Sequence, residues 1–171
     1  EYLAGNVARE TGKQIIFPTR EPRHQFPNDL DYQMIGWPGR CEVHEKFSVA
    51  DIQNVRKQFP DVVILAHPEC SPEVVAAADF SGSTTAMIRY VEKMKSGRYL
   101  LLTECSMGDN IAARNPQREM LRLCSVRCPH MNEITLEDTL ESLRKEQYEI
   151  SVPEDIAVKA RVALDRMLEI G

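Results

Sequence analysis

Short apolar segments alternate with helical stretches along this chain, and this alternation restricts the fold more than any other feature of the sequence. Residues 62–66 and 98–104 are predominantly apolar runs of strand length and predict buried strands. Weaker strand signals fall at residues 13–17, 78–80 and 119–124. Strands separated by helices of about ten residues predict βαβ units and a parallel sheet. We therefore expect an α/β fold in which ligands bind beyond the carboxyl ends of the strands.

Capping signals predict where the helices begin. Ser48 and Thr135 are each followed three residues later by an aspartate, which is the pattern of a capping box. Ser71 and Pro72 predict the start of a short helix, because proline is favoured in the first turn. Further helices are predicted before Gly12, at residues 83–95 and from Pro153, with a helical turn at residues 108–115. In contrast, residues 18–41 contain four prolines and no periodicity, so we expect a long loop that leads to Cys41.

Composition and charge exclude several classes of function. A 171-residue chain with 43% apolar and 27% charged residues is typical of a globular protein with a substantial core. The net charge of −5 gives no electrostatic reason to expect nucleic acid or an anionic membrane as a partner. No apolar run approaches the roughly 18 residues of a membrane span, and no signal peptide is recognisable. Five cysteines without a secretory signal predict a reducing cytoplasm, with some thiolates available as ligands.

Polar residues with useful chemistry follow the predicted strands directly. His67 and Glu69 come after the strand at residues 62–66 and are two positions apart, so in an extended segment they face the same way. A glutamate beside a histidine suits proton transfer at neutral pH, although the same residues also make an ordinary polar turn. Ser83 and Thr84 open the next helix, whose free N–H groups favour a carboxylate or phosphate. The alternative is that Ser83 or Thr84 only caps that helix.

Cysteine spacing gives two candidate metal-binding segments. One is Cys41-x2-His44, and the other contains Cys124, Cys128 and His130. A zinc site needs four ligands in a tetrahedral arrangement, and these spacings are close to acceptable ones. An iron–sulfur cluster prefers thiolates, accepts ligands that are distant in sequence and often uses a cysteine followed by proline, as Cys128 is. Both metals therefore remain open on spacing alone, and a third interpretation, buried or incidental thiols, suits Cys70 and Cys105 best.

Four segments within residues 37–144 match those of a known family in the same order: WPGRCEVHEKF, ILAHPEC, DFSGSTTAMI and CPHMNEITLEDTLESL. In these segments the chain resembles the quinolinate synthase family, which builds the pyridine ring in de novo NAD synthesis. The resemblance implies an α/β fold of three αβα three-layer units with short parallel sheets, arranged about a pseudo-threefold axis. By this resemblance residues 1–44 are the end of the second domain, with an extended loop at 18–37. Residues 45–128 are then the third domain, and residues 129–171 are the C-terminal helices.

The resemblance also implies a cofactor and its ligands. In the family each domain gives one cysteine to a single 4Fe-4S cluster, and Cys41 and Cys128 match the ligands of the second and third domains. The ligand of the first domain has no counterpart, so a missing first domain is expected to supply it. Glu1 lies inside a helical pattern without a preceding cap, which also predicts a chain cut from a longer protein; a processed N-terminus is the alternative.

Substrates and roles follow from the same resemblance. The family condenses iminoaspartate with dihydroxyacetone phosphate to give quinolinate, with loss of phosphate and water. The resemblance assigns His44, His67 and Glu69 to the active site, with Glu69 as the acid–base residue near the open iron. Ser83 and Thr84 are then expected to hold a substrate carboxylate or phosphate. We expect the isolated chain to be inactive, because one cluster ligand and part of the pocket are absent.

The sequence alone leaves several interpretations of the function open. A non-catalytic, zinc-stabilised α/β binding module is the main rival to the enzyme, and a metal-free globular domain is the third interpretation. Cys124 precedes the expected ligand Cys128 by four residues and is either an idle thiol or the partner in a regulatory disulfide. The sequence leaves open the roles of loop 18–37, Cys70 and Cys105, and the oligomeric state.

Overall fold

The computed structural model describes residues 1–18, 33–94, 96–123 and 126–170, without the side chain of Arg122. The chain divides into two compact units, Glu1–Cys128 and Pro129–Gly171, and each is considered by itself. In the part of the chain that is described, no helix combines the length and the apolar character needed to cross a bilayer.

The first unit begins with a small substructure. Helix α1 (Tyr2–Thr11) ends at Gly12, whose φ of 68° is a left-handed conformation that glycine adopts without strain. Strand β1 (Ile15–Ile16) then pairs in parallel with strand β2 (Met34–Ile35).

A four-stranded parallel sheet forms the centre of the first unit. Along the chain its elements are α2 (Val49–Gln58), β3 (Val63–Ala66), α3 (Pro72–Ala77), β4 (Phe80–Ser81), α4 (Thr84–Lys93), β5 (Arg98–Leu102), α5 (Cys105–Arg114) and β6 (Glu119–Arg122). The strand order is β4-β3-β5-β6, and each neighbouring pair is parallel.

Alternating side chains of the two central strands bury both faces of this sheet. Ile64 and Leu100 belong to a core cluster with residues of α2 and α3, whereas Leu65 and Leu101 belong to a second cluster with residues of α4 and α5. Successive residues of a strand point to opposite faces, so apolar residues at every position allow helices to cover both sides. The predicted α/β class with short parallel sheets is therefore confirmed.

Most of the predicted elements are present, with differences at their ends. Ser48 forms the predicted capping box with Asp51 at the start of α2. The helical turn predicted at residues 108–115 is a longer helix, α5, which begins after Glu104. The Glu104 carboxylate caps α5 by accepting the Ser106 N–H at 2.7 Å, and glutamate is not among the usual N-cap signals.

The loop predicted at residues 18–41 is wrong in its last part, where Met34 and Ile35 form β2. A strand of two residues has no detectable period, and its pairing with β1 depends on a contact that is distant in sequence. Residues 19–32 of this loop lie outside the described part of the chain. The strand predicted at 119–124 ends at Arg122 in the structure, and Cys124 is not among the described residues.

The second unit consists of a 3-10 turn at His130–Asn132 and two helices, α6 (Leu136–Lys145) and α7 (Glu154–Ile170). Helix α6 starts with the predicted capping box between Thr135 and Asp138. Apolar residues on both helices are exposed, for example Leu143 on α6 and Leu168 on α7.

Candidate metal and catalytic site

The register of the sheet brings three strand ends to one edge of the first unit. Ala66, the last residue of β3, pairs with Ser81 of β4 and with Leu102 of β5. The next residue after β3, His67, continues this pairing by donating its N–H to the Leu102 carbonyl at 3.2 Å. Residues that directly follow β3, β4 and β5 therefore lie at a common carboxyl edge, where ligands bind in parallel α/β sheets.

A short turn presents Cys41 and His44 to this site. The Glu45 N–H donates to the Cys41 carbonyl at 3.0 Å, and His44 begins a 3-10 turn. Val43, between them, is buried in the core and anchors the turn. The spacing Cys-x2-His is thus held by a turn whose middle residue belongs to the core.

Three donor groups from two segments of the sequence converge here. The Cys41 thiol, one His44 ring nitrogen and one Glu69 carboxylate oxygen all lie within 4.8 Å of one another. We call these residues the Cys41–His44–Glu69 cluster. The Nδ1 atom of His44 lies 3.0 Å from Oε2 of Glu69. This buried nitrogen has no hydrogen bond of normal geometry to any described group.

The other nitrogen of the His44 ring has a defined partner. Nε2 lies 3.1 Å from the hydroxyl oxygen of Thr103, the first residue after β5, and both side chains are in the buried interior. Sequence reasoning did not identify Thr103. Its position immediately after an apolar strand, next to Glu104, was the available signal.

His67 packs directly against the cluster. Its ring stacks on that of His44 with a centroid separation of 4.5 Å and an interplanar angle of 19°. Its Nδ1 accepts the Glu69 N–H at 3.3 Å and lies 3.7 Å from the Glu69 carboxylate. A ring nitrogen that accepts a backbone N–H carries no proton, so the proton of the neutral ring is on Nε2.

Burial keeps both imidazoles neutral. It lowers the pKa of His44 from 6.5 to about 4, helped by the neighbouring charge of His67 and opposed by the Glu69 carboxylate. Burial also lowers the pKa of His67, again against the effect of Glu69. At neutral pH the two rings are therefore available as lone-pair donors and not as cations.

The two cysteines with expected cluster roles pack against the same apolar core cluster. Cys41 and Cys128 are both half-buried and contact the cluster that contains Val43 and Leu102. Cys70 lies in that cluster too, but its thiol donates to the Leu102 carbonyl, and burial raises its pKa to about 12. It therefore remains a protonated thiol at neutral pH, whereas metal binding requires the thiolate.

The turn before α4 differs from this cluster. Ser83 caps the helix by accepting the Ala86 N–H at 3.2 Å, and both Ser83 and Thr84 are exposed. Ser83 and Arg89 line a shallow cleft of about 300 Å³ on the outside of α4. The structure thus shows the capping role for Ser83, and the predicted anion site stays a prediction.

A larger cleft leads to the Cys41–His44–Glu69 cluster. Its volume is about 630 Å³, and its lining includes Tyr2, Trp37 and Arg40 together with Cys41 and Glu69. The Arg40 guanidinium lies 4.5 Å above the Tyr2 ring, which holds both side chains in the cleft wall. The cleft gives small polar molecules and ions access to Cys41 and Glu69.

Asn6 of α1 is a second residue that sequence reasoning missed. It is buried and donates to the carbonyls of Pro68 at 2.8 Å and Cys70 at 2.9 Å. These two bonds fix the backbone on both sides of Glu69. The signal in the sequence was a polar residue beside Val7 and Leu3 on the apolar face of a predicted helix.

The remaining candidate residues lie in the second unit or outside the described part. His130 belongs to the 3-10 turn of the second unit, where its Nδ1 lies 3.3 Å from a Glu133 carboxylate oxygen. Among the described residues, a group of three side chains able to hold a metal ion occurs at Cys41, His44 and Glu69. Cys124, which belongs to the second candidate segment, lies outside the described residues, so a metal site in that segment stays a prediction.

The fold and the site define an α/β protein with thiol, imidazole and carboxylate donors at the carboxyl edge of a parallel sheet. The model of the family described as quinolinate synthetase A protein matches residues 1–169, and the chain belongs to this family. The resemblance inferred from the four sequence segments is thereby confirmed.

Individual relatives agree with this assignment. The chain is 45% identical over 170 residues to quinolinate synthase 2 of Mesorhizobium japonicum, which covers 99% of the chain and 46% of that protein. It is 48% identical over 170 residues to the quinolinate synthase of Xylella fastidiosa, again covering 99% of the chain but 44% of the relative. The corresponding identity with the quinolinate synthase of Agrobacterium fabrum is 46%, with the same two coverages. The chain therefore spans less than half the length of these relatives.

Proposed function

We propose that this chain forms one part of the active site of a quinolinate synthase, which condenses iminoaspartate with dihydroxyacetone phosphate to quinolinate. Membership of the family supports an enzyme over a non-catalytic, zinc-stabilised binding module. The observation that carries the proposal is the convergence of Cys41, His44 and Glu69 at the carboxyl edge of the sheet. His67, which stacks on His44, completes the set of residues expected there.

The cofactor in this proposal is a 4Fe-4S cluster held by Cys41, Cys128 and a third cysteine from outside this chain. The donors fit such a group, because Cys41 and Cys128 are half-buried against the same core cluster while the thiol of Cys70 stays protonated. When bound, the cluster would supply a Lewis-acidic iron that polarises a substrate oxygen. Thiolate ligation needs reducing conditions, which supports a cytoplasmic location.

Glu69 is the proposed acid–base residue. Its carboxylate is about one-third exposed and lines the cleft, so it can meet a substrate that enters there. His44 and His67 are neutral, so neither forms an ion pair of full charges with Glu69, whose Oε2 is the proposed proton acceptor. The stacked rings line one side of the carboxylate, and Asn6 holds the backbone of its loop.

Ser83 and Thr84 are proposed to bind a carboxylate or phosphate of the substrate. They are exposed at the N-terminus of α4, a helix of ten residues, at the same sheet edge as His67. Ser83 can bind through its hydroxyl hydrogen while its oxygen caps the helix. We also retain the domain assignment given by the resemblance: 1–44, 45–128 and 129–171.

A chimera tests this function. Residues 1–170 would replace the matching region of the Xylella fastidiosa relative, and the protein would be reconstituted anaerobically with iron and sulfide. We expect visible cluster absorption and quinolinate production, and we expect Cys41→Ser or Cys128→Ser to abolish both. Cys105→Ser is the matched control, because Cys105 is a buried residue at the start of α5 and should not affect either measurement.

Two results would contradict the proposal. One is a chimera that keeps its cluster and its activity after Cys41→Ser or Cys128→Ser. The other is quinolinate production by the isolated 171-residue chain, because this would remove the need for a third cysteine from elsewhere.

A further inference from the structure

We propose that the Cys41–His44–Glu69 cluster also binds a single divalent transition-metal ion of borderline softness, such as Zn²⁺ or Co²⁺, on this chain alone. This mononuclear site is distinct from a 4Fe-4S cluster, because it uses one thiolate with one imidazole and one carboxylate. The inference does not depend on the proposed reaction.

The donor set and the distances suit such an ion. Thiolate, imidazole and carboxylate are the three protein ligands of zinc, and Co²⁺ accepts the same donors. With metal–ligand bonds of about 2.0–2.3 Å, two ligands of a tetrahedral ion lie roughly 3–4 Å apart. The three donor atoms here lie within 4.8 Å of one another, and the closest measured pair, His44 Nδ1 and Glu69 Oε2, is 3.0 Å apart. The three donor atoms therefore need to approach one another only slightly to coordinate one ion.

The state of His44 is the second, independent observation. Its side chain is 8% exposed, and its Nδ1 has no hydrogen bond of normal geometry to any described group although a carboxylate oxygen is nearby. Buried polar atoms are nearly always hydrogen-bonded, so an exception of this kind needs an explanation. If the proton of the neutral ring is on Nε2, two lone-pair atoms, His44 Nδ1 and Glu69 Oε2, lie 3.0 Å apart. A cation bound by both atoms would stabilise that arrangement.

Thr103 offers the hydrogen-bond partner that this tautomer needs. When Nε2 of His44 donates its hydrogen to the Thr103 hydroxyl, at the observed 3.1 Å, the lone pair of the neutral ring is on Nδ1. A histidine that binds a metal commonly donates its other N–H to an outer partner in this way. Thr103 is therefore a positioning residue for the site.

The surroundings hold the ligands and leave a route for the ion. Asn6 fixes the carbonyls of Pro68 and Cys70 on either side of Glu69. Cys41 and Glu69 both line the cleft of about 630 Å³, so an ion can enter and a water molecule or substrate atom can take a fourth position. Because Cys41 is the shared thiolate, a mononuclear ion and an iron–sulfur cluster compete for it.

Cobalt titration of the 171-residue chain tests the proposal. The chain would be stripped of metal with a chelator and titrated anaerobically with Co²⁺ alone, while absorption is recorded. We expect one Co²⁺ per chain, a thiolate-to-cobalt charge-transfer band, and displacement of that band by Zn²⁺. Binding of Zn²⁺ should also raise the thermal unfolding temperature, because the ion binds only the folded site.

Variants assign the ligands. Cys41→Ser should remove the charge-transfer band, and Glu69→Gln should weaken binding while the band persists. Thr103→Val should weaken binding by about 10- to 100-fold, as loss of an outer partner typically does, and Thr103→Ser should restore it. Circular dichroism establishes that each variant is folded, and Cys41→Ala replaces Cys41→Ser if the serine variant is not.

The controls separate this inference from the proposed function. Cys128→Ser should keep the 1:1 cobalt complex, whereas in the chimera it should abolish the 4Fe-4S cluster; Cys105→Ser should change neither. The mononuclear site is overturned if the metal-free chain binds no Co²⁺ in a 1:1 complex, if Cys41→Ser retains the band, or if Cys128→Ser removes it. None of these results bears on whether the chimera makes quinolinate.

Discussion

Two polar regions lie at the same sheet edge, the Cys41–His44–Glu69 cluster and the Ser83–Thr84 turn. They differ in burial and in hydrogen bonding. In the cluster, the Nδ1 atom of buried His44 has no hydrogen bond of normal geometry to a described group. At the turn, the Ser83 hydroxyl oxygen already accepts an N–H of its own helix, and both residues are exposed. Both regions look suitable for binding from their residue types alone. Because His44 is buried and its Nδ1 lacks such a hydrogen bond, we propose the first region as the centre of the site and the second as its periphery.

The difference in burial also affects how strongly each region can interact with a ligand. Interactions with a ligand are strong where water is excluded, and weak at an exposed helix terminus, where a charge gains roughly 0.3–1 kcal/mol. We therefore expect substitutions in the cluster to change chemistry and metal binding, and substitutions at the turn to change affinity and helix stability.

The largest expected difference is in catalysis. In the chimera, Glu69→Gln should lower kcat by about 10²- to 10⁴-fold, because it removes the proposed proton acceptor. Ser83→Ala should mainly raise KM and leave kcat nearly unchanged, because an anion held at the turn contacts both ground state and transition state. Steady-state kinetics of the two variants give this comparison. If Glu69→Gln and Ser83→Ala lowered kcat equally, the cluster and the turn would not have the different roles proposed for them.

The next effect is the pH dependence of stability in the metal-free chain. Burial lowers the pKa of His44 from 6.5 to about 4, so between these pH values the unfolded chain binds more protons than the folded one. The free energy of unfolding should therefore fall as the pH falls through this window, by up to about 3 kcal/mol for His44, and should gain nothing further from it above pH 6.5. Urea denaturation at several pH values measures this.

Two variants serve as controls for the pH prediction. His44→Gln should flatten the fall, whereas His130→Gln should not, because His130 is exposed in the second unit. A wild-type free energy of unfolding that stays constant from pH 6.5 to 4.5, or an unchanged slope in His44→Gln, would show that His44 is not held neutral by burial.

A smaller effect is expected at the turn. Ser83→Ala should lower the free energy of unfolding by about 1 kcal/mol, since it removes the cap of α4. Thr85→Ala is the matched control, because Thr85 is also exposed near the start of this helix but is not its cap. Thermal or urea unfolding of the two variants measures the difference. If both variants are equally stable, Ser83 does not cap the helix in solution.

The smallest expected effect is a change in the pKa of His44 when the stacked ring of His67 is removed. The charge of His67 contributes to lowering the pKa of His44, so His67→Gln should raise the His44 pKa toward its ordinary value without restoring it, because burial is the larger cause. Proton NMR of the His44 ring during a pH titration of the metal-free chain follows this change. A His44 pKa that falls, or does not move, in His67→Gln would show that the charge of His67 does not lower the His44 pKa.

Much of the fold could be predicted from the sequence because its signals are local. The capping boxes at Ser48 and Thr135 and the apolar strand at 62–66 depend on residues within one turn or one strand. Strand β2 was missed because two residues carry no period and its partner β1 is distant in sequence. Helix α5 was predicted too short because its cap, Glu104, acts through a side-chain geometry that residue type does not reveal.

The site was predictable in its membership but not in its contacts. Cys41, His44, His67 and Glu69 were identified from spacing, strand ends and resemblance, and the structure brings all four together. Thr103 and Asn6 were missed because their importance comes from hydrogen bonds to His44 and to the loop around Glu69. Such bonds depend on strand register and on the packing of α1, which a single sequence does not specify. The predicted cluster role of Cys128 and the anion role of Ser83 and Thr84 stay predictions.

Above all, we propose that Cys41 and Cys128 bind one iron centre beside Glu69. Anomalous diffraction at the iron edge, from crystals of the reconstituted chimera, locates this centre. We expect a single compact iron peak in contact with the Sγ atoms of both cysteines, with the Glu69 carboxylate facing its open side. A peak bound by only one of these two cysteines, or located away from the carboxyl edge of the sheet, would contradict it.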